Sequence, residues 1–398
     1  MPILNQNNFP YLFSWDDVNR THDVKLHHKQ STVINFFNES ITGWLVGLFH
    51  SDGFYHFPIN TVVHHDILLS IRKKEIKLII WNCHEPYHNI VEGIYKFVVM
   101  GGDIPADSII LYSNSADIDK EIDVVSKKYN LGKIKAVYSR EFECYAKSYI
   151  LNNLNTDWPV TLVQKQYNKK FLSFNGLWRH HRAAFVSFLS IFDLLDKGHL
   201  SYCALKTDTD RTPNDTFVSM MYLYNENPKL NQLLTNNKDK LMNLNPIHLD
   251  TNYNNHFNKA HYNDFKKYLY EDTYFSVITE TICLDVDGEP GLSGVGRLLS
   301  EKTWKPIIFK HPFIILGVLG VLKLLKELGY KTFSPYIDER YDDETDGPTR
   351  VYKVAKEVER LCNLTESELK EFLDFSKDIV EFNYNHLLEQ QIFYKELN

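Results

Sequence analysis

Three short stretches of this chain concentrate the residue types that bind anions or move protons. The first is Arg297-Leu298-Leu299-Ser300-Glu301-Lys302-Thr303-Trp304-Lys305-Pro306, reached from the apolar run 274–278 through Thr279-Glu280-Thr281 and a glycine-rich loop, 288–296. Ser300 is a good helix N-cap, which puts Glu301 and Lys302 in a first helical turn. Amides at such a terminus favour an anion such as a diphosphate, and Lys302 or Arg297 would add charge-assisted bonds. The Glu301 carboxylate can accept bonds from the hydroxyls of a ribose or a sugar. The same residues also make an ordinary solvated helix start, because the dipole favours Glu in a first turn.

The second stretch is Asn175-Gly176-Leu177-Trp178-Arg179-His180-His181-Arg182. Arg179 and Arg182 lie one turn apart on a helix and share a face, so they could bracket a pyrophosphate or form an exposed basic turn. The adjacent His180 and His181 diverge on a helix, which argues against a metal site. The third stretch, Asn82-Cys83-His84-Glu85-Pro86, follows the apolar run 77–81. An attacking hydroxyl must lose its proton, and Glu85 is the candidate base with His84 as competitor. The bland alternative is a polar loop. Asp208-Thr209-Asp210 and Asp285-Val286-Asp287 could each hold a divalent cation, but so short a pattern arises readily by chance in an acidic chain.

The elements that must position these residues are legible in outline. Strands are expected at 42–49, 77–81, 108–112 and 134–138, with helices at 87–99 and 120–129. The pattern then restarts: strand 171–174, helix 179–195, strand 200–205, a loop-and-helix insertion over 225–262, and strand 274–279. Helix 300–309, strand 312–316, helix 318–328 and a short strand 331–333 follow. Two helices, 350–361 and 366–394, end the chain, the second opened by a Thr365-x-x-Glu368 capping box. Strands alternating with helices predict parallel sheets with helices on both faces. The restart divides the chain into residues 1–165, 166–348 and 349–398. A ligand is expected where the carboxyl ends of strands from both sheets face a shared cleft.

Composition narrows the function classes. Of 398 residues, 24% are charged and the net charge is −7, the wrong sign for strong non-specific nucleic-acid binding. The 24 Tyr, 25 Phe and 6 Trp suit stacking on sugars or bases, though an aromatic core would use them equally well. Five scattered cysteines without a CxxC pair make neither a disulfide framework nor a zinc site. The longest apolar stretch, 312–322, is too short to span a bilayer, and a cytoplasmic protein is expected.

The stretch from Val277 through Glu280, Ser300-Glu301-Lys302-Thr303-Trp304-Lys305-Pro306 and Pro312 to Gly317 resembles the donor-binding half of the α-1,3-fucosyltransferase superfamily. His84-Glu85-Pro86-Tyr87, Phe171 to Arg182, Glu280 to Ile307, and Gly329-Tyr330-Lys331-Thr332-Phe333 through Asp342 look still more like glycosyltransferase-like proteins of phages and large DNA viruses. Gly176-Leu177 stands where the viral pattern has Arg, and Pro86 replaces its Gly. The resemblance implies a GT-B-like fold: two Rossmann-like domains facing a cleft, an acceptor-side domain first and a donor-binding domain second, with C-terminal helices packing back across both. It implies inverting sugar transfer from a nucleotide-sugar donor, without an obligatory metal or other cofactor, in a host cytoplasm if the chain is viral. By position the resemblance implies donor sugar and phosphate contacts for Glu301 and Lys302, diphosphate contact for Arg182 and the role of base for Glu85. The residues themselves add Asn175, Arg179, Glu280, Arg297 and Ser300 to the expected donor side and His84 as competing base. The acceptor stays open among a glycan, a lipid-linked sugar, a protein and a modified nucleobase. Two alternatives remain: a non-catalytic binding protein of GT-B shape, and a metal-dependent GT-A-type transferase using Asp208 and Asp210.

Overall fold

The computed structural model describes residues 32–36, 39–47, 65–82, 90–152, 167–176, 178–202, 213–244, 247, 249, 267–283 and 296–390. The chain separates into two compact units. One comprises Met1–Tyr145 with Gly291–Leu298 and Gln391–Asn398; the other comprises Ala146–Pro290 with Leu299–Gln390. The C-terminal helices up to Gln390 thus belong to the second unit, and residue 165, where the sequence suggests a division, lies outside the described residues.

The first unit holds β1 (Thr32–Phe36), β2 (Glu39–Gly47), α1 (His65–Arg72), β3 (Lys77–Asn82), α2 (Ile90–Gly93), β4 (Ile109–Ser113), α3 (Ile118–Tyr129), β5 (Lys135–Tyr138) and the start of α4 (Glu141–Asn152). Its five-stranded sheet runs β1-β2-β3-β4-β5, antiparallel only at the β1–β2 edge. Winding therefore never reverses among these strands. The helix expected over 87–99 is a short α-helical turn continued by a π-helical stretch, Ile94–Met100, which buries Tyr95 and Val98. Ile80, Leu78, Ile109 and Leu111 from the sheet meet Ile94, Val98, Ile118 and Ile122 in one apolar core.

The second unit continues with β6 (Lys169–Asn175), α5 (His180–Ile191), β7 (Gly198–Tyr202), α6 (Pro213–Leu223), α7 (Pro228–Asn236), α8 (Lys238–Met242), α9 (Lys267–Glu271), β8 (Thr273–Thr279), α10 (Glu301–Ile308), β9 (Phe313–Leu316), α11 (Val321–Glu327), α12 (Gly347–Cys362) and α13 (Glu366–Glu389). Its four strands are all parallel, in the order β7-β6-β8-β9. β8 and β9 are buried along their whole length, as the near-continuous apolar runs of a covered parallel sheet require. α12 buries Val351, Val354, Ala355, Val358 and Leu361, a 3–4 spacing that presents one apolar face to α5. Tyr352 also meets Phe188 of α5 edge to face at 5.2 Å.

The sequence-level expectation fails at 331–333, which is not a strand. The backbone there is satisfied by side chains instead. The Asn383 amide accepts from Lys331 N at 2.8 Å and donates to Lys331 O at 2.9 Å, while a Glu339 carboxylate oxygen accepts from Phe333 N and Ser334 N. The capping box at α13 is present: Thr365 Oγ1 accepts from Glu368 N, and the Glu368 carboxylate accepts from Thr365 N at 2.7 Å.

Candidate functional site

In an open parallel sheet, ligands bind outside the carboxyl ends of the strands where the winding direction reverses. In the second unit that point lies between β6 and β8. Backbone pairing of β6 with β7 extends to Asn175↔Tyr202, and that of β8 with β9 to Thr279↔Leu316. Pairing of β6 with β8 stops earlier, at Leu172↔Ser276. Beyond it the two strands are tied by a side chain, as Thr279 Oγ1 donates to Asn175 Oδ1 at 2.9 Å. Asn175 is buried, and its Nδ2 donates to Ser173 Oγ at 3.0 Å. Asn175, a donor-side candidate in the sequence, is thus a brace across the parting strands.

Glu280, the residue after β8, is 1% exposed and organises the site. Its Oε1 accepts from Ser300 N at 3.1 Å and Thr303 Oγ1 at 2.6 Å; its Oε2 accepts from the Ser300 hydroxyl and from Thr281 N at 3.2 Å. Three of these four donors come from the N-terminal turn of α10, so one buried carboxylate fixes that turn to the end of β8. Ser300 has the N-cap conformation expected of it, with its Oγ accepting from Lys302 N.

Two neighbours on α5 hold the same strand end. The Arg182 guanidinium donates through Nη2 to the carbonyls of Thr279 and Glu280 at 3.2 Å each, and His181 Nε2 meets the Glu280 carbonyl at 3.0 Å. Both side chains are buried. Arg182 therefore positions the strand end rather than standing on one exposed face with Arg179. Arg179 is the residue before α5, half-buried, with Nη1 donating to Trp178 O at 3.3 Å.

Lys302 is the cation that the cluster presents outward. Its Nζ donates to Glu301 Oε1 at 2.7 Å, Thr281 Oγ1 at 3.1 Å and Ser300 Oγ at 3.2 Å, and its side chain keeps 24% of its exposure. Glu301 is partly exposed beside it. Lys305, one turn on, has its ammonium pKa lowered by burial. Together these groups form a small polar platform at the carboxyl edge of β8, with hydroxyl, carboxylate and ammonium functions within one helical turn.

Arg297, grouped with these residues from the sequence, belongs to the first unit. Its backbone is drawn against the start of α3: Ala116 N donates to Arg297 O at 2.9 Å, and a Cβ on Gly296 would fall 2.4 Å from Ser115 Oγ. Its guanidinium forks onto Asp117 through Nε at 3.0 Å and Nη2 at 3.1 Å. Burial pushes the Asp117 carboxyl upward, but the bonds from Arg297 and Lys120 outweigh it and hold the group well below the usual carboxylate range. His84, Glu85, Asp208, Asp210, Asp285 and Asp287 lie outside the described residues.

A group that sequence reasoning passed over is Glu121, in the first turn of α3 at the carboxyl edge of the first unit's sheet. Burial pushes its carboxyl up to about 7, with the Glu92 charge adding to the rise against a hydrogen bond from the Val91 backbone. On an amphipathic helix it reads as one more solvated acid, and only packing distinguishes it. A cavity of about 750 Å³ opens elsewhere in the second unit, beside Lys326, Tyr336, Asp338 and Arg340. Two ion pairs lie in its lining, Lys326 with Glu339 and Arg340 with Asp338. Among the described residues, no group of His, Cys, Asp and Glu is arranged to hold a metal ion, and no helix is long and apolar enough to cross a membrane. No family model matches the chain, and neither a curated protein nor a solved structure matches it.

Proposed function

We propose that this chain is a GT-B-type glycosyltransferase that moves a sugar from a nucleotide-diphosphate donor onto an acceptor hydroxyl, with inversion and without an obligatory metal. The observation that carries the reading is the parting of β6 from β8 where the winding reverses, with the Glu280–Ser300–Lys302 cluster on its lip. An α/β sheet of this order binds nucleotides at that position. In the proposed reaction the acceptor oxygen bonds to the anomeric carbon as the bond from that carbon to the phosphate oxygen breaks. The acceptor's proton passes to Glu85, or to His84, and the nucleoside diphosphate leaves with its new charge beside the Lys302 ammonium. Glu301 accepts bonds from donor hydroxyls. Asn175, Glu280, His181 and Arg182 act by holding the platform in place.

The test is calorimetry with UDP, GDP and CDP, preceded by a thermal-shift screen of these nucleotides and their sugars, because a ligand that binds only the folded state raises its melting point. Lys302→Ala should abolish nucleoside-diphosphate binding while leaving the melting point of the free protein within a few degrees. Its Glu301 partnership is a partly exposed pair of the kind that contributes about 0–1 kcal/mol. Unchanged nucleotide affinity in this variant would count against the assignment. One observation favours a second reading, a non-catalytic binding protein of the same shape: Glu280, Arg182 and Arg297 are all engaged by partners within the protein. Slow hydrolysis of a bound nucleotide sugar separates the two, since a transferase leaks donor to water and a scaffold does not.

A further inference from the structure

One buried arginine of the second unit plays no part in the reading above. Arg350, in the first turns of α12, is 1% exposed. The helix start that carries it is firmly held, by the Asp346 side chain accepting from Thr349 N at 3.0 Å and by Tyr224 donating to Pro348 O at 3.3 Å. Its guanidinium reaches three carbonyls. Nε donates to Glu344 O at 3.3 Å, and Nη1 donates to Cys283 O and Gly317 O at 3.4 Å each. All three distances exceed the usual range of about 2.7–3.2 Å for N–H donors, so these bonds are weak. Nη2 is buried and has no hydrogen-bond partner, and among the described residues no carboxylate forms an ion pair with this side chain. The nearby Asp342 carboxylate feels its charge but accepts instead from Leu322 N and Lys323 N at 3.1 Å.

A buried guanidinium held by long carbonyl bonds is a costly arrangement unless an anion completes it. Two of its three carbonyl partners fix where that anion would sit. Gly317 is the residue after β9, and Cys283 lies four residues past the end of β8. The guanidinium therefore stands over the carboxyl edge of β8 and β9, and β8 also carries the Glu280–Lys302 platform. Nη2 offers two N–H bonds in the guanidinium plane, each able to donate to an oxygen of an anion such as a phosphate.

We propose that Arg350 is an anion ligand at the carboxyl edge of β8 and β9, and that its anion is a phosphate group of the nucleotide diphosphate. The phosphate assignment rests on the transferase reading, whereas the anion site itself does not. With inorganic pyrophosphate as probe, the full-length protein should gain melting temperature, and Arg350→Met should fold but lose that gain. Affinity for GDP or UDP should fall at least tenfold in the same variant. If Arg350→Met does not fold, Arg350→Lys, which keeps the charge and loses the fork, is measured in its place. In the unaltered protein, pyrophosphate should slow hydrogen exchange in the peptide around Arg350. Equal nucleotide affinity in unaltered and Arg350 proteins, with no change in exchange there, overturns this proposal and leaves the transferase reading standing. A pyrophosphate response that needs Arg350, alongside no response to any nucleoside diphosphate, does the reverse. Silence towards both probes sinks both.

Discussion

Replacing Glu280 by Gln removes one charge and no volume, which makes it the sharpest probe of the platform. The carboxylate accepts four hydrogen bonds, two of them from backbone N–H groups that cannot turn away: Ser300 N on Oε1 and Thr281 N on Oε2. The Ser300 and Thr303 hydroxyls can rotate to accept from an amide, but each backbone N–H cannot. Whichever oxygen becomes NH₂, a backbone donor is left facing a donor at a position only 1% exposed. A buried donor so stranded costs about 1–3 kcal/mol, and the three remaining bonds lose their charge assistance. The sum is about 2–4 kcal/mol of unfolding free energy, read from urea titration followed by far-UV circular dichroism. Amide exchange at Ser300 and Thr281 should rise above the global change, and nucleoside-diphosphate affinity should weaken because the Lys302 turn is no longer fixed. A cost under about 0.5 kcal/mol, or no local change in exchange, would refute the claim that this carboxylate organises the site.

Two further outcomes follow from single side chains. His311 is fully buried, with Nε2 against Thr273 O at 2.8 Å and Nδ1 against Ser276 Oγ at 2.9 Å, and burial lowers its pKa to about 4 against a weaker upward pull from the Thr273 carbonyl. The unfolded chain takes up a proton near pH 6.5 and the folded chain only near 4. Stability from this site is therefore complete above pH 6.5 and is lost as pH falls towards 4, by up to about 3 kcal/mol; in His311→Gln the pH slope of unfolding should shrink by close to one proton over that range. Thr365→Ala removes the N-cap of α13, whose capping box closes within three residues, and should cost about 1 kcal/mol in thermal unfolding, with no effect on ligand binding.

Local features were legible in the sequence because their physics is local. Ser300 caps α10 and Thr365 caps α13 through bonds spanning two or three positions, so residue type and spacing suffice to foresee them. The α/β alternation and most strands follow in the same way from apolar runs and helical spacing. The residues 331–333 show the opposite case: their apolar-aromatic pattern suits a strand, but Asn383, fifty-two positions on, takes both backbone groups of Lys331. The site divides along the same line. Residue types alone singled out Glu280, Ser300 and Lys302, whereas the roles of Arg182 as a strand-end clamp, Arg297 as the partner of Asp117, and Arg350 as a buried cation come only from the fold. Strand order decided where those roles fall. The sequence of β6, β7, β8 and β9 is fixed along the chain, but the reversal between β6 and β8 is a matter of which strands hydrogen-bond across space. Pairing energy between segments a hundred residues apart leaves no mark in the local pattern of either.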